Sequence, residues 1–196
     1  MSYRSFNSNK TLPKIVFVDT SFLFDLIKYT KDSGNRDLVE GFEFYEKLCT
    51  NDTILWISPL IVEESIWKLL RDEIYEEMNN SGISGISISN LKKNNLRIYK
   101  KGYERGRTKA TDFISFIKAA GFTVSYTSPF KSMNNKIRSD LVVRYSIGII
   151  NNYYLESADA FHIATARCNG IDWIISNDLA FQDIPNIGIY GIKQKV

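Results

Sequence analysis

Short, continuously apolar runs alternate along this chain with longer stretches whose apolar residues recur every three or four positions. Ile15-Val16-Phe17-Val18 is apolar throughout, which predicts a strand over 14–18 buried on both faces. Phe22 to Tyr29 reads as a short helix, and a polar break follows at Lys31 to Asn35. Leu38, Phe42, Tyr45 and Leu48 give Asp37–Cys49 a helical stripe. Asn51-Asp52 is a turn signal and Thr53–Ile57 a second strand. Ser58-Pro59 opens a helix expected to reach about Asn79, because serine accepts from free amides and proline at the first helical position loses nothing.

The second half is less regular at first. Ser81–Asn90 is low in complexity and predicts a loop, the clearest seam in the chain. The basic stretch after it carries Gly102 and Gly106, which predict a broken or hairpin-like helix. Thr111 is placed to cap a helix over Asp112–Ala120 that Gly121 ends, before a strand at Phe122–Tyr126. Asn134–Tyr145 is expected to be helical, with Ile137, Leu141 and Tyr145 on one face. Ser157 is placed to cap a helix to Cys168, closed by Asn169-Gly170. A strand at Trp173–Ser176, a turn around Leu179–Asp183 and a strand near Ile187–Gly191 follow. The first ten residues, rich in Ser and Asn, read as a frayed lead-in. Strands alternating with helices predict an α/β sandwich with a mostly parallel sheet.

Composition narrows the chemistry. At 196 residues and 44% apolar, the chain is expected to be one domain, residues 1–196, with an insertion at about 80–110. Met1–Pro13 is polar and no apolar run approaches the ~20 residues that cross a bilayer, so neither a secretory leader nor a membrane anchor is expected. Cys49 and Cys168 lack metal-type spacing and read as reduced thiols of a cytoplasmic protein. A single histidine, His162, excludes a multi-histidine zinc site and reads as a packing residue; with no Gly-x-Ser-x-Gly elbow, a serine triad is not expected either. The net charge of +3 hides an asymmetry: Leu91–Lys118 alone carries +7. A basic arm of this kind suits a polyanionic partner, with Lys100, Lys101, Arg105 and Arg107 as its expected nucleic-acid contacts; the alternative is a solvated helix face.

The chemically informative residues are acids at strand and helix ends. Asp19 follows the first strand, Asp178 follows Trp173-Ile174-Ile175-Ser176-Asn177, and Asp159 lies in the first turn of a small-residue helix. In open α/β sheets ligands bind outside the carboxyl ends of the strands, so these acids are expected to converge there and to bind a hard cation. Thr20 and Ser21 place hydroxyls beside Asp19. A fourth acid is expected from the helix starting at Pro59, where the helical wheel slightly favours Glu63 over Glu64.

These residues resemble the motifs of the PIN-domain nucleases, the family that includes the VapC-type toxins of toxin–antitoxin pairs. The apolar strand running into Asp19-Thr20-Ser21 looks like the opening motif, and Ser58-Pro59-Leu60-Ile61-Val62-Glu63-Glu64 is similar to the second, whose register selects Glu64. Asp159-Ala160-Phe161-His162-Ile163-Ala164-Thr165-Ala166 resembles the third motif, and Gly170 to Phe181, with Ser176-Asn177-Asp178 inside it, the fourth. The resemblance spans roughly 14–78 and 111–192 and leaves 80–110 as an insertion outside the family pattern. It implies a PIN-like three-layer α/β/α sandwich and a Mg²⁺- or Mn²⁺-dependent endoribonuclease. Asp19, Glu64, Asp159 and Asp178 are its implied catalytic and metal-binding residues, supported by Thr20, Ser21 and Ser176. The implied partners are RNA, with DNA not excluded, an antitoxin, and a second copy of the chain. The competing reading is a PIN-fold module that binds RNA or protein without cutting. An aspartyl phosphatase is not expected, because Ser21 stands where that chemistry needs a second aspartate, and no Gly-x-x-x-x-Gly-Lys loop supports an NTPase.

Overall fold

The structure, a computed structural model, describes residues 2–6, 11–29, 34–125 and 135–191. Residues 31–33 of the expected polar break, Tyr126, and the side chain of Ile137 lie outside the described residues. Six strands form one all-parallel sheet: β1 Ser2–Ser5, β2 Ile15–Val18, β3 Ile54–Ile57, β4 Thr123–Val124, β5 Trp173–Ile175 and β6 Gly188–Gly191, in the order β1-β6-β5-β2-β3-β4. Seven helices accompany them among the described residues: α1 Thr20–Tyr29, α2 Arg36–Thr50, α3 Pro59–Asn80, α4 Ile88–Asn94, α5 Leu96–Ala119, α6 Asn135–Tyr153 and α7 Ser157–Cys168. The fold is a three-layer α/β/α sandwich. The chain divides into two compact units, Met1–Ile61 with Thr123–Val196, and Val62–Phe122, a wider seam than the 80–110 insertion expected from the sequence.

In the first unit the sheet centre is the part whose sequence is apolar throughout. Val16, Phe17, Val18, Trp56, Ile57, Ile174 and Ile175 are all fully buried, as strands covered on both faces require. The chain moves from β2 out through β3 to β4, then crosses to β5 on the other side of β2. The carboxyl ends of β2 and β5 therefore flank the point where the direction of winding reverses, the crevice in which open α/β sheets take ligands. Asn35 caps α2 by accepting from the amides of Asp37 (3.0 Å) and Leu38 (3.5 Å), and Ser58 accepts from Ile61 at 3.3 Å to start α3. α7 starts instead after Glu156, whose side chain makes no cap, a correction to the expected Ser157 cap. Gly170 (φ 70°) ends that helix in the left-handed conformation that glycine tolerates. Cys49 and Cys168 form no disulfide.

The expected frayed lead-in is corrected over its first part, because Ser2–Ser5 is a strand in register with β6. Its polar composition is overridden by three side chains. Phe6 is buried and stacks on Phe44 at 4.7 Å, the Arg4 guanidinium lies 4.1 Å over the Trp173 ring, and the Tyr3 hydroxyl donates to the Gly191 carbonyl at 2.8 Å.

The second unit consists of most of α3 with α4 and α5. The expected break at Gly102 and Gly106 does not occur: α5 is one helix of 24 residues. Both glycines are buried, and a Cβ on either would come within 2.7 Å of an α3 backbone carbon, of Ile74 and of Leu70 respectively. The glycines are there for close helix contact. Thr111 sits mid-helix and donates its hydroxyl to the Arg107 carbonyl at 3.0 Å, so it caps nothing. At the far end, Ile74, Met78 and Leu91 form a buried cluster under Ile83, Ile86, Ile88, Ile98 and Tyr99, so the low-complexity seam is pinned by its isoleucines.

Two glutamates face the basic helix. Glu73 and Glu77 are buried, and Arg105 joins both, at 3.0 Å to Glu73 through Nε and also through Nη1 to Glu77. Lys101 pairs with Glu77 at 2.7 Å, and Lys109 with Glu73. Burial pushes the Glu73 carboxyl up, but hydrogen bonds from Lys109 and Arg105 outweigh it and hold it below its ordinary value. The hydrogen bond from Lys101 chiefly, with Arg105, lowers Glu77 against burial, and the two glutamates raise Arg105. Carboxyls lowered in the folded state contribute stability that is present above the unfolded value, 4.5, and lost as the pH falls below it. Urea midpoints should therefore drop between pH 5 and 3, and Glu73→Gln with Glu77→Gln should lower the neutral-pH midpoint and flatten that slope. An unchanged slope would remove the ion-pair cluster from the acid response.

Candidate functional site

Asp19 lies one residue beyond β2, 5% exposed, its backbone amide donating to the Ile175 carbonyl at 3.0 Å across the switch point. Its Oδ2 accepts three hydrogen bonds: from the Ser21 amide at 3.2 Å, the Ser21 hydroxyl at 2.6 Å and the Ser176 hydroxyl at 2.9 Å. The two hydroxyls are fixed in turn. Ser21 Oγ accepts from the Asn177 amide at 3.1 Å and Ser176 Oγ from the Asp178 amide at 3.0 Å. Each serine spends its proton on the carboxylate and its lone pair on a backbone N–H, so the rotamer of Asp19 is held at once from the first turn of α1 and from the loop after β5. Among the described residues no hydrogen bond goes to Oδ1. One oxygen anchors the side chain, and the other accepts from no described residue.

The remaining acids are less uniform. Asp159 is half-buried in the first turn of α7. A helix leading into a parallel strand runs against the sheet, so the first turn of α7 lies at the same sheet edge as Asp19. Asp178 is exposed, and its Oδ1 accepts from the Ala180 amide at 2.8 Å, capping the 3₁₀ turn Leu179–Asp183. That carboxylate already has a structural task. Glu64, in the second unit, is half-buried while Glu63 is exposed. Trp67, one turn on from Glu63, is 49% exposed, so Glu64 and not Glu63 lies on the more buried side of α3. Thr20 is buried at the start of α1. Ser21, beside it, donates both its amide and its hydroxyl to Asp19.

Among the described residues, no three acidic, histidine or cysteine side chains are gathered closely enough to cage a metal. What the first unit offers is one rigid carboxylate with an open oxygen at the strand ends. That fits a Mg²⁺ ion that keeps most of its waters and takes one or two carboxylates, and does not fit a metal needing a full protein cage. His162 is fully buried with its ring 6.1 Å from Phe17, in keeping with packing. Sequence reasoning missed Asn177 and Asp25, which bond at 2.6 Å between the β5 loop and α1 and brace the loop that carries Ser176. The only signal for them was the polar Ser-Asn-Asp run after an apolar strand.

Of the four expected nucleic-acid contacts, Lys101 and Arg105 are engaged by Glu77 and Glu73, while Lys100 and Arg107 are exposed. The second unit carries eleven basic and eight acidic side chains, net +3. The basic stretch is thus partly neutralised by α3, which precedes it in the chain, and it is no free arm.

No protein-family model matches the chain, and no curated protein matches it. None of the described helices is long and apolar enough to cross a membrane.

If the open oxygen of Asp19 serves a divalent metal, Ser176→Ala should weaken Mg²⁺ binding by about tenfold, as loss of outer support does at metal sites. Calorimetric titration with Mg²⁺ checks this. An unchanged affinity would show that Ser176 does not act through Asp19.

Proposed function

We infer that this protein is a divalent-metal-dependent nuclease acting on RNA. The observation that carries the reading is Asp19, held at the switch point of a parallel sheet by three donors on Oδ2 with Oδ1 left open. A carboxylate immobilised there has no packing task that needs it. Asp159 is the second acid at that edge, and the PIN-domain resemblance adds Asp178. The residues would hold Mg²⁺ or Mn²⁺, which supplies Lewis acidity toward a phosphodiester and its attacking water. Asp19 and Asp159 would orient the hydrated ion, and Asp178, exposed in the loop after β5, the incoming water. The Ser21 and Ser176 hydroxyls keep the first carboxylate from swinging away. An antitoxin and a second copy of the chain are the protein partners this reading brings with it.

The test is cleavage of a mixed pool of single-stranded and structured RNA with Mg²⁺, with Mn²⁺ and with EDTA, beside a DNA pool of the same sequences. Cutting that needs the metal and falls at least tenfold in Asp159→Asn supports the reading. Binding without any cutting, on both pools, would replace it with a non-catalytic nucleic-acid-binding module.

A further inference from the structure

A second feature of the molecule lies on α4 and α5, on residues that take no part in the Asp19 site. Tyr99 packs on the Ile74–Met78–Leu91 cluster, and Tyr103 stacks against it with ring centroids 5.8 Å apart and planes 29° from parallel. The Lys92 ammonium lies 5.5 Å from the Tyr99 ring centroid. Tyr103 keeps 39% of its surface exposed. On a helix advancing about 100° per residue, Lys100, Tyr103, Arg107 and Lys118 fall within about 60° of arc, a row bordered by Glu104 and free of acids within it. Beside it a groove of about 480 Å³ is lined by Leu96, Arg97, Lys100, Lys101 and Glu104, and of its three bases Lys101 is already paired with Glu77. The face of α5 toward α3 is different, because its glycines are buried and its Lys101, Arg105 and Lys109 are taken up by Glu73 and Glu77.

This division of one helix is informative. A merely solvated face needs no aromatic ladder, and a face built only for solubility has no reason to set an exposed tyrosine on a second one braced by a buried cluster. An exposed ring of fixed orientation, flanked by cations at one-turn spacing, matches what unpaired bases require: a flat π surface and nearby charge for the phosphates. A duplex hides its base faces and offers such a ring nothing. An acidic protein surface would use the lysines and the arginine and leave the tyrosine idle.

We propose that the outer face of α4 and α5 binds single-stranded nucleic acid, a base stacking on Tyr103 and phosphates lying on Lys92, Lys100 and Arg107. The site is independent of cleavage and does not need the nuclease reading to hold.

The experiment is fluorescence anisotropy of the full chain with a labelled twelve-nucleotide oligouridylate, its oligothymidylate counterpart, a duplex of equal length and heparin, all in EDTA and across salt concentrations. Both single strands should bind more tightly than the duplex, and a preference between them assigns RNA or DNA as the source. Tyr103→Ala should weaken single-strand binding about tenfold, while Tyr103→Phe keeps it within about twofold, because stacking needs the ring and not the hydroxyl. Lys100→Ala with Arg107→Ala should reduce the salt slope by about 1.4, near 0.7 for each phosphate of a single strand left without its cation. Lys14→Gln with Lys47→Gln removes equal charge from exposed positions of the first unit and should change neither quantity. Asp19→Asn should bind as the wild type does, so a failure of cleavage and a failure of this site are told apart. Equal affinity for duplex, heparin and single strand, or no effect of Tyr103→Ala, overturns the proposal in favour of a general polyanion or acidic-protein contact. No binding at about 50 mM salt overturns it outright.

Discussion

Asp19→Asn should lower metal-dependent RNA cleavage by at least about 100-fold, equivalent to about 2.7 kcal/mol of barrier. The carboxylate is fixed by hydrogen bonds from the first turn of α1 and from the loop after β5. Asparagine keeps its shape and loses both its charge and half its acceptor capacity. With the amide oxygen toward Ser21 and Ser176, the NH₂ group occupies the open position and repels a cation. With the amide reversed, the NH₂ group meets two hydroxyls and a backbone N–H that all donate, at a cost of about 1–3 kcal/mol for the unsatisfied buried groups. Either way the ligand is lost, so activity should fall by far more than stability. Cleavage rates and urea midpoints measured on the same preparation separate the two. A variant that cuts within twofold of the wild type would show that the chemistry lies elsewhere.

Gly102→Ala and Gly106→Ala should each destabilise the protein by about 1–3 kcal/mol, although alanine is the better helix former by about 1 kcal/mol. The sign follows from what the new Cβ meets. At both positions it comes within 2.7 Å of an α3 backbone carbon, which cannot rotate away as a side-chain tip can. The helices must then separate, which loosens the Glu73–Arg105–Glu77 pairing on one side and the Ile74 packing on the other. Gly148, in α6, is the internal reference, since a Cβ there meets nothing within 4 Å. Gly148→Ala should stabilise by about 0.5–1 kcal/mol through helix propensity alone. Thermal and urea unfolding of the three single variants tests the contrast, and stabilisation at all three would mean that α3 and α5 are not in backbone contact.

Much of the first unit was legible because its signals are local. A run such as Ile15–Val18 can only be a strand covered on both sides, and Ser58-Pro59 carries its helix start within two residues. The three first-unit acids could be placed at strand and helix ends for the same reason, since the end of an apolar run is visible in the sequence. The bridge that immobilises Asp19 was not, because Ser21 and Ser176 lie 155 residues apart and only the pairing of β2 with β5 brings them together. The second unit misled local reading more. A glycine inside a helical pattern is the same letter whether it breaks the helix or admits a neighbour at close range. The choice at Gly102 and Gly106 was made by the α3 backbone.

The charge of the insertion divides in the same way. Its sign was plain from nine basic residues between Leu91 and Lys118. Which cations remain outward was decided by Glu73 and Glu77, which draw in Lys101, Arg105 and Lys109 and leave Lys100 and Arg107 exposed. The sequence by itself determined the α/β class, the strand ends that bear the acids and the excess of positive charge, since each depends on neighbours within one turn or one strand. The tertiary structure alone decided which carboxylate oxygen stays open, which glutamate is half-buried and which cations are already paired, because burial and pairing are set by residues far away in the chain.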